Sequence, residues 1–246
     1  IGPEVWDGWK QEILTELYHS AMQHLAMDSP ATTAEQLLRR RKAQAVEALA
    51  AQPQFDWYRR QIENLPEVYL KFKAPAQIAD DLQLLCGLRS DEVRVRCQYA
   101  PDTRTLQVTV GTSEQLTPGI FHKLTGALSG CGLEIRSAQI YTLPGDLVLD
   151  RFWVHDPDYA AEPPPERIWQ IQEALRWALA AAGDRPPAFR RVWQAGPRPH
   201  QLMPTLETRV LCDNSTSQQY TIIDVFTFDR PGLLYAITRT LFESGL

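Results

Sequence analysis

LTPGIFHKLTGALSGCGL, residues 116–133, has a second copy in FDRPGLLYAITRTLFESGL, residues 228–246. Each begins with Pro-Gly (Pro118-Gly119, Pro231-Gly232) and two apolar residues. Each then shows a polar face at helical spacing and leaves through small residues into Gly-Leu. Proline fixes φ and glycine reaches conformations closed to other residues, so this pair opens a tight turn into a helix. Ahead of each copy lies a stretch of alternating polarity, TLQVTV (Thr105 to Val110) and YTIIDVFTF (Tyr220 to Phe228). A period of two predicts a strand. The unit strand–turn–helix therefore occurs twice.

Working outward from the first copy, EVRVRCQY (Glu92 to Tyr99), EIRSAQIYT (Glu134 to Thr142), LVLDRFWVHD (Leu147 to Asp156) and TLETRVLCD (Thr205 to Asp213) also alternate. Pro101-Asp102 and Pro144-Gly145-Asp146 supply turns, and ERIWQIQEALRWALAAA places Ile168, Ile171, Leu175 and Leu179 on one helical face. The pattern predicts a β-α-β-β-α-β unit, the ferredoxin-like arrangement of four antiparallel strands covered on one face by two helices. The fold class expected is α+β. A helical segment spans 1–90, a ferredoxin-like domain 91–213, and 214–246 holds the first strand and helix of a second such domain. Thr205 to Asp213 is expected to close the first sheet, and Asn214 to Ser217 to turn, which makes the sequon Asn214-Ser215-Thr216 a turn. The second copy lacks its later strands, so Tyr220 to Phe228 is expected to pair with the first sheet through that hairpin, or with another copy of the chain. Leu233, Leu234, Ile237 and Leu241 form its expected inward stripe.

The first 90 residues read as helices. In GPEVWDGWKQEILTELYHSAMQHLA, Trp6, Trp9, Ile13, Leu17 and Ala21 recur at helical spacing. TTAEQLLRRRKAQAVEALAAQ opens on a capping box from Thr32 to Glu35. A third helix is expected from Gln54 to Leu65 and a fourth after Pro75, burying Ile78, Leu82 and Leu85. Trp6, Trp9 and Leu17 need a cover, expected from the helices between Thr32 and Leu88 or from a neighbouring chain.

The composition sets limits. With 44% apolar and 22% charged residues the 246-residue chain is ordinary for a globular protein. Its formal charge of −5 favours neither nucleic acid nor an anionic membrane as partner. Cys86, Cys97, Cys131 and Cys212 are scattered without a CxxC pair, which suits a reducing compartment, and a cytoplasmic location is expected.

DRPGLLYAITRTLFESGL, with EIRSAQIYTLPGDLVLDRFWV from the earlier copy, resembles the ACT domain, a small ligand-binding module. WDGWKQEILTELYHSAMQHL, LPEVYLKFKAPAQIADDLQLL and DVFTFDRPGLLY, in that order, resemble the C-terminal half of the bifunctional PII uridylyltransferase/uridylyl-removing enzyme family. The resemblance covers essentially the whole chain. It implies a parent with a nucleotidyltransferase domain, an HD phosphohydrolase domain and two C-terminal ACT domains. This sequence would then be a segment of a longer protein: the end of the HD region, a connector, one ACT domain and the start of a second. What the resemblance further implies is regulation of PII uridylylation by glutamine or another small amino acid, PII signalling protein as partner, and magnesium in the parent's catalytic part. A homodimer through the ACT domains is a further expectation. Two other readings stay open: an amino-acid-binding ACT module of another regulator, and an ACT scaffold that binds nothing.

The candidate ligand residues are those of the two turns: Thr117, Pro118, Gly119 and Ile120 in the first, and Asp229, Arg230, Pro231, Gly232, Leu233 and Leu234 in the second. A helix start presents unsatisfied N–H groups and a partial positive charge, which suit a ligand carboxylate. The plainer alternative is a strand-to-helix turn capped by Asp229. The first copy carries Gln115-Leu116-Thr117 where an acidic-basic pair stands in the second. No residue is assigned to catalysis or to a metal. His155-Asp156 spells an HD pair, but it ends a strand beside Pro157 and reads as a surface pair, while RRRK (Arg39 to Lys42) reads as the solvated face of a helix.

Overall fold

The computed structural model describes residues 30–71, 73–180, 187–189, 207–217 and 220–245. The first expected helix, with Trp6, Trp9 and Leu17, lies outside the described residues. Four helices come first: α1 (Pro30–Ala48), α2 (Phe55–Asn64), α3 (Glu67–Lys71) and α4 (Pro75–Leu85). α1 starts at Pro30, so Thr32 lies inside the helix and not at its cap. α4 starts as expected, with Pro75 where the first turn needs no donor and the Ala74 N–H donating to Gln77 Oε1 at 3.2 Å. The Arg39 to Lys42 run is only partly a solvated face. Arg41 donates to the carbonyls of Leu70 and Lys71, and Lys42 Nζ to Glu63 O at 2.8 Å, tying α1 to the helices that follow.

The sheet follows: β1 (Arg94–Ala100), β2 (Thr105–Ser113), helix α5 (Ile120–Gly130), β3 (Glu134–Leu143), β4 (Leu147–His155) and helix α6 (Pro165–Ala180). All pairings are antiparallel and the order is β1-β2-β4-β3. Val110 stands opposite Val95 on one side and Asp150 on the other. The fold is α+β with a ferredoxin-like sheet, and one edge differs from expectation. The place beside β2 is taken from upstream by β1, and not by Thr205 to Asp213. A short turn through Pro101 to Arg104, with Arg104 at φ 51°, joins β1 to β2, so a local hairpin claims the edge before any later strand can reach it. The displaced segment, β5 (Arg209–Asp213), pairs with β6 (Ile222–Phe226) in a separate two-stranded sheet, and helix α7 (Leu233–Glu243) follows. The turn between β5 and β6 is where the sequence places it. The Asp213 carboxylate accepts from the N–H and hydroxyl of Ser215, both at 2.6 Å, and those bonds hold it well below the usual carboxylate range. β6 thus pairs through the expected hairpin but not with the first sheet.

The sheet is covered on both faces, where helices on one face are expected. Val108, Val110, Val148, Phe152 and Val154 pack against Leu124 and Leu128 of α5 and Ile171 and Leu175 of α6. On the other face Leu143, Leu147 and Leu149 pack against Leu49, Ile62, Tyr69, Ile78, Leu82 and Leu85 of α1 to α4 and their turns. Each fully buried side chain of this kind contributes about 1.5–3 kcal/mol. Gly111 of β2 admits α4, since a Cβ there would stand 2.8 Å from Leu85 Cδ2.

A polar cluster joins the second pair of layers. Asp81 of α4 is fully buried; Arg151 of β4, 3% exposed, donates to its Oδ1 from Nη2 at 2.5 Å. Tyr69 Oη donates to Asp81 Oδ2 at 2.8 Å, and Arg151 Nε donates to Thr109 Oγ1 at 3.3 Å. Burial, with the Asp81 charge beside it, pushes the Tyr69 phenol far up. A buried charge that loses its partner costs several kcal/mol, whereas a lost neutral donor costs about 1 kcal/mol. Asp81→Ala should therefore lower unfolding stability by about 3–5 kcal/mol and Tyr69→Phe by about 1 kcal/mol, read from urea midpoints. Equal losses would mean that the ion pair is not what holds the layers.

Among the described residues the β5–β6 hairpin has no third strand, and Val210, Leu211, Ile223 and Phe226 are exposed. Two-stranded sheets are marginal in water. Amide exchange at Ile222 to Phe226 should run much faster than at Leu106 to Val110. Matching protection would place β6 in a larger sheet.

Candidate functional site

The two Pro-Gly turns have the same local geometry. Gly119 caps α5 at φ 69°, ψ 38°, and Gly232 caps α7 at φ 76°, ψ 13°; neither cap residue has a side chain to bond its helix start. Both lie in the left-handed region that a Cβ disfavours. The chain enters α5 with the Lys123 N–H on Gly119 O at 3.2 Å, and α7 with the Ala236 N–H on Gly232 O at 3.0 Å. At the start of α7 the Leu233 N–H is taken by Arg230 O at 3.0 Å, which leaves the amides of Leu234 and Tyr235 to face out; at the start of α5 they are those of Ile120, Phe121 and His122. In the first turn Thr117 is half-buried and its Oγ1 accepts from Lys123 Nζ at 2.6 Å, Pro118 is exposed, and Ile120 is buried against the sheet. In the second, Asp229, Arg230 and Pro231 are exposed, Gly232 is buried, and Leu233 and Leu234 are half-buried. Asp229 does not cap α7.

A ring lies on each glycine. A Cβ on Gly119 would stand 2.1 Å from His122 Cε1, and one on Gly232 would stand 2.5 Å from Phe189 Cζ. The helices behind the turns meet directly. Thr125 Oγ1 and Thr238 Oγ1 are 3.2 Å apart and buried, 113 residues apart in sequence, which is also the offset between Gly119 and Gly232. Each hydroxyl also has a carbonyl of its own helix within reach, His122 O at 2.9 Å from Thr125 and Tyr235 O at 3.1 Å from Thr238, so one hydroxyl donates across the contact while the other donates back into its helix. Equivalent residues touching each other make the contact a local two-fold. His122 and Tyr235, also equivalent, have ring centroids 6.2 Å apart, and His122 lies 4.8 Å from Phe242. α7 therefore buries Tyr235 and Thr238 against α5, and not the stripe expected from Leu233, Leu234, Ile237 and Leu241, which is half-buried.

Asp150 was no candidate in the sequence. It is 1% exposed on β4, on the face carrying Val148, Phe152 and Val154, and neither carboxylate oxygen has a hydrogen-bond partner among the described residues. Burial alone pushes its carboxyl up to about 7. The signal was present: Asp150 interrupts the apolar register of LVLDRFWV at an inward position. Phe189 carried no such signal, because nothing in its neighbourhood shows where a linker ring will land.

No family model matches the chain. Curated relatives do, over nearly all of it. A bifunctional uridylyltransferase/uridylyl-removing enzyme of Rhodospirillum rubrum is 31% identical over 98% of this chain. Enzymes of the same name from Cereibacter sphaeroides and Gluconobacter oxydans are 29% and 26% identical over its full length. Over nearly its whole length the chain is similar to enzymes of this one name. It spans 26% of the length of these relatives.

In this chain His155 and Asp156 do not form a surface pair. Asp156 is buried and bonded to Arg167 Nε at 2.8 Å, closing α6 onto the end of β4, while His155 Nδ1 lies 3.3 Å from Arg104 O. Among the described residues no three His, Cys, Asp or Glu side chains stand together as a metal centre needs, and no helix is long and apolar enough to cross a membrane.

Asp150 gives a pH test. The folded chain keeps a proton on it, between about pH 4 and about pH 7, that the unfolded chain has released. The folded state binding more protons, stability falls as pH rises through that window, by at most about 1.4 kcal/mol per pH unit. Asp150→Asn should be more stable than the parent at pH 8, with the gap closing toward pH 4. Parallel stability curves would show that Asp150 has found a charge partner.

Proposed function

We propose that this region is the regulatory part of a uridylyltransferase/uridylyl-removing enzyme, that its two Pro-Gly turns belong to ACT modules, and that they sense a small amino acid, glutamine first among candidates. The parent enzyme would then act on a PII-type signalling protein in the cytoplasm. The observation that carries the reading is the pair of uncapped helix starts joined behind by the Thr125–Thr238 contact. A carboxylate suits each start, and whatever moves one helix bears on the other. A ligand biases such a pair only through its difference in affinity between two arrangements, and that difference is what catalytic domains elsewhere would read. Magnesium is part of this reading only for the parent's catalytic domains, and no step in this region is routed through it.

The rings of His122 and Phe189 favour a second reading, in which the turns are closed packing joints and the pair is a scaffold. Titration calorimetry with a panel of amino acids separates the two. Glutamine should bind, and Gly119→Ala or Gly232→Ala should weaken it about tenfold or more, because a methyl forces the ring and the turn apart. Binding of another amino acid alone would assign the module to a different signal, and silence across the panel would leave the scaffold.

A further inference from the structure

Phe121, in the first turn of α5, stacks on Phe152 of β4 with centroids 5.9 Å apart. Asp150 is two residues from Phe152 on the same face, opposite Val110, displaced toward the end of β2 from which the Thr117–Ile120 turn departs. The register thus displaces its unpartnered carboxylate from Phe152 toward the end of the sheet at which α5 starts. The positions sharing its face on the neighbouring strands are Val108, Val110 and Thr112 on β2 and Ala138, Ile140 and Thr142 on β3, none of them ionisable. Ile171, Leu175 and Leu179 face this layer from α6. From the first turn of α5 the ionisable side chains are His122 and Lys123; Lys123 is engaged with Thr117, and neither bonds Asp150. Ile140, directly across from Asp150, is 46% exposed, so the helix layer stops short of the β3 edge there.

An uncapped helix start and a buried carboxylate with no partner are opposite halves of one receptor. The first takes an anion and the second needs a cation or a proton. We propose that Asp150 receives the ammonium group of an α-amino acid whose carboxylate lies on the N–H groups at the start of α5, entering between the turn and the β3 edge. This rests on the amino-acid-sensing reading and adds the residue that would distinguish an amino acid from a plain carboxylate. A dicarboxylate leaves the Asp150 position unanswered and is excluded by charge. Binding converts Asp150 to its ionised form, so ligand uptake releases a proton where the carboxyl is otherwise protonated.

The test uses the 246-residue chain and its Asp150→Asn variant, titrated calorimetrically with L-glutamine and with glutaramic acid, which is glutamine without its α-amine. At pH 8 the parent should bind glutamine about tenfold or more tighter than glutaramic acid, and the variant should bind both at the weaker level. At pH 6 the heat of glutamine binding to the parent should depend on the ionisation heat of the buffer, reporting a released proton, and that dependence should vanish in the variant. Because Asp150→Asn is expected to stabilise the free chain at pH 8, weakened binding cannot be unfolding; an unchanged circular dichroism spectrum checks this. Equal glutamine affinity in parent and variant would overturn the role of Asp150 while leaving amino-acid sensing standing. Failure of the parent to bind any of the standard amino acids would overturn both.

Discussion

The ion pair between Asp81 and Arg151 decides how this molecule is layered. Two charges removed from water must hold each other and satisfy their remaining hydrogen-bonding groups, which Tyr69 and Thr109 help to do. The geometry is intolerant of sliding, because α4 cannot shift along β4 without separating the charges. Apolar contacts around Leu85 and Leu149 supply area on the same face but would accept neighbouring registers. The pair therefore fixes where the helical segment sits, and with it the face of the sheet that remains for α5 and α6. It makes the helices between Pro30 and Leu85 a component of the sheet's own core, well beyond a tether.

On the opposite face α5 occupies a similarly constrained place. Ile120, Leu124 and Leu128 face the sheet, while His122, Thr125, Gly126 and Ser129 are covered from the other side. A helix buried on two sides transmits displacement and does not absorb it, since interiors are close-packed. Its first turn reaches the sheet through Phe121 on Phe152, and its middle reaches the second repeat through Thr125 on Thr238. The segment Pro187–Phe189 adds a third contact by laying Phe189 on the second turn.

Much of this was legible in the residues. The alternation in TLQVTV and LVLDRFWV gave the central strands with their inward faces, and the repeated Pro-Gly gave both left-handed helix caps. What could not be read were choices between partners. Thr205 to Asp213 alternates like any strand, and nothing in it says that β1 has already filled the edge it was assigned to. Leu233, Leu234, Ile237 and Leu241 form the greasier stripe of α7, yet the element that arrives is α5, and it meets Tyr235 and Thr238. Asp81 and Arg151 are 70 residues apart and ordinary in their own neighbourhoods. Asp150 was readable in principle, as a charge placed on an apolar register.

Supplying the sheet edge from upstream has a consequence for biosynthesis. A nascent chain emerges from its amino terminus, and domains form as their parts become available. With β1 beside β2, every strand of the four-stranded sheet has been made once His155 has been added, and α6 follows at once. Had the edge belonged to Arg209–Asp213, the sheet would have remained open, with β2 exposed to other nascent chains, until the whole proline-rich linker had also been translated. The hairpin at Pro101 to Arg104 thus lets the ribosome release a closed unit before the second repeat exists, so that β6 and α7 emerge onto a finished surface.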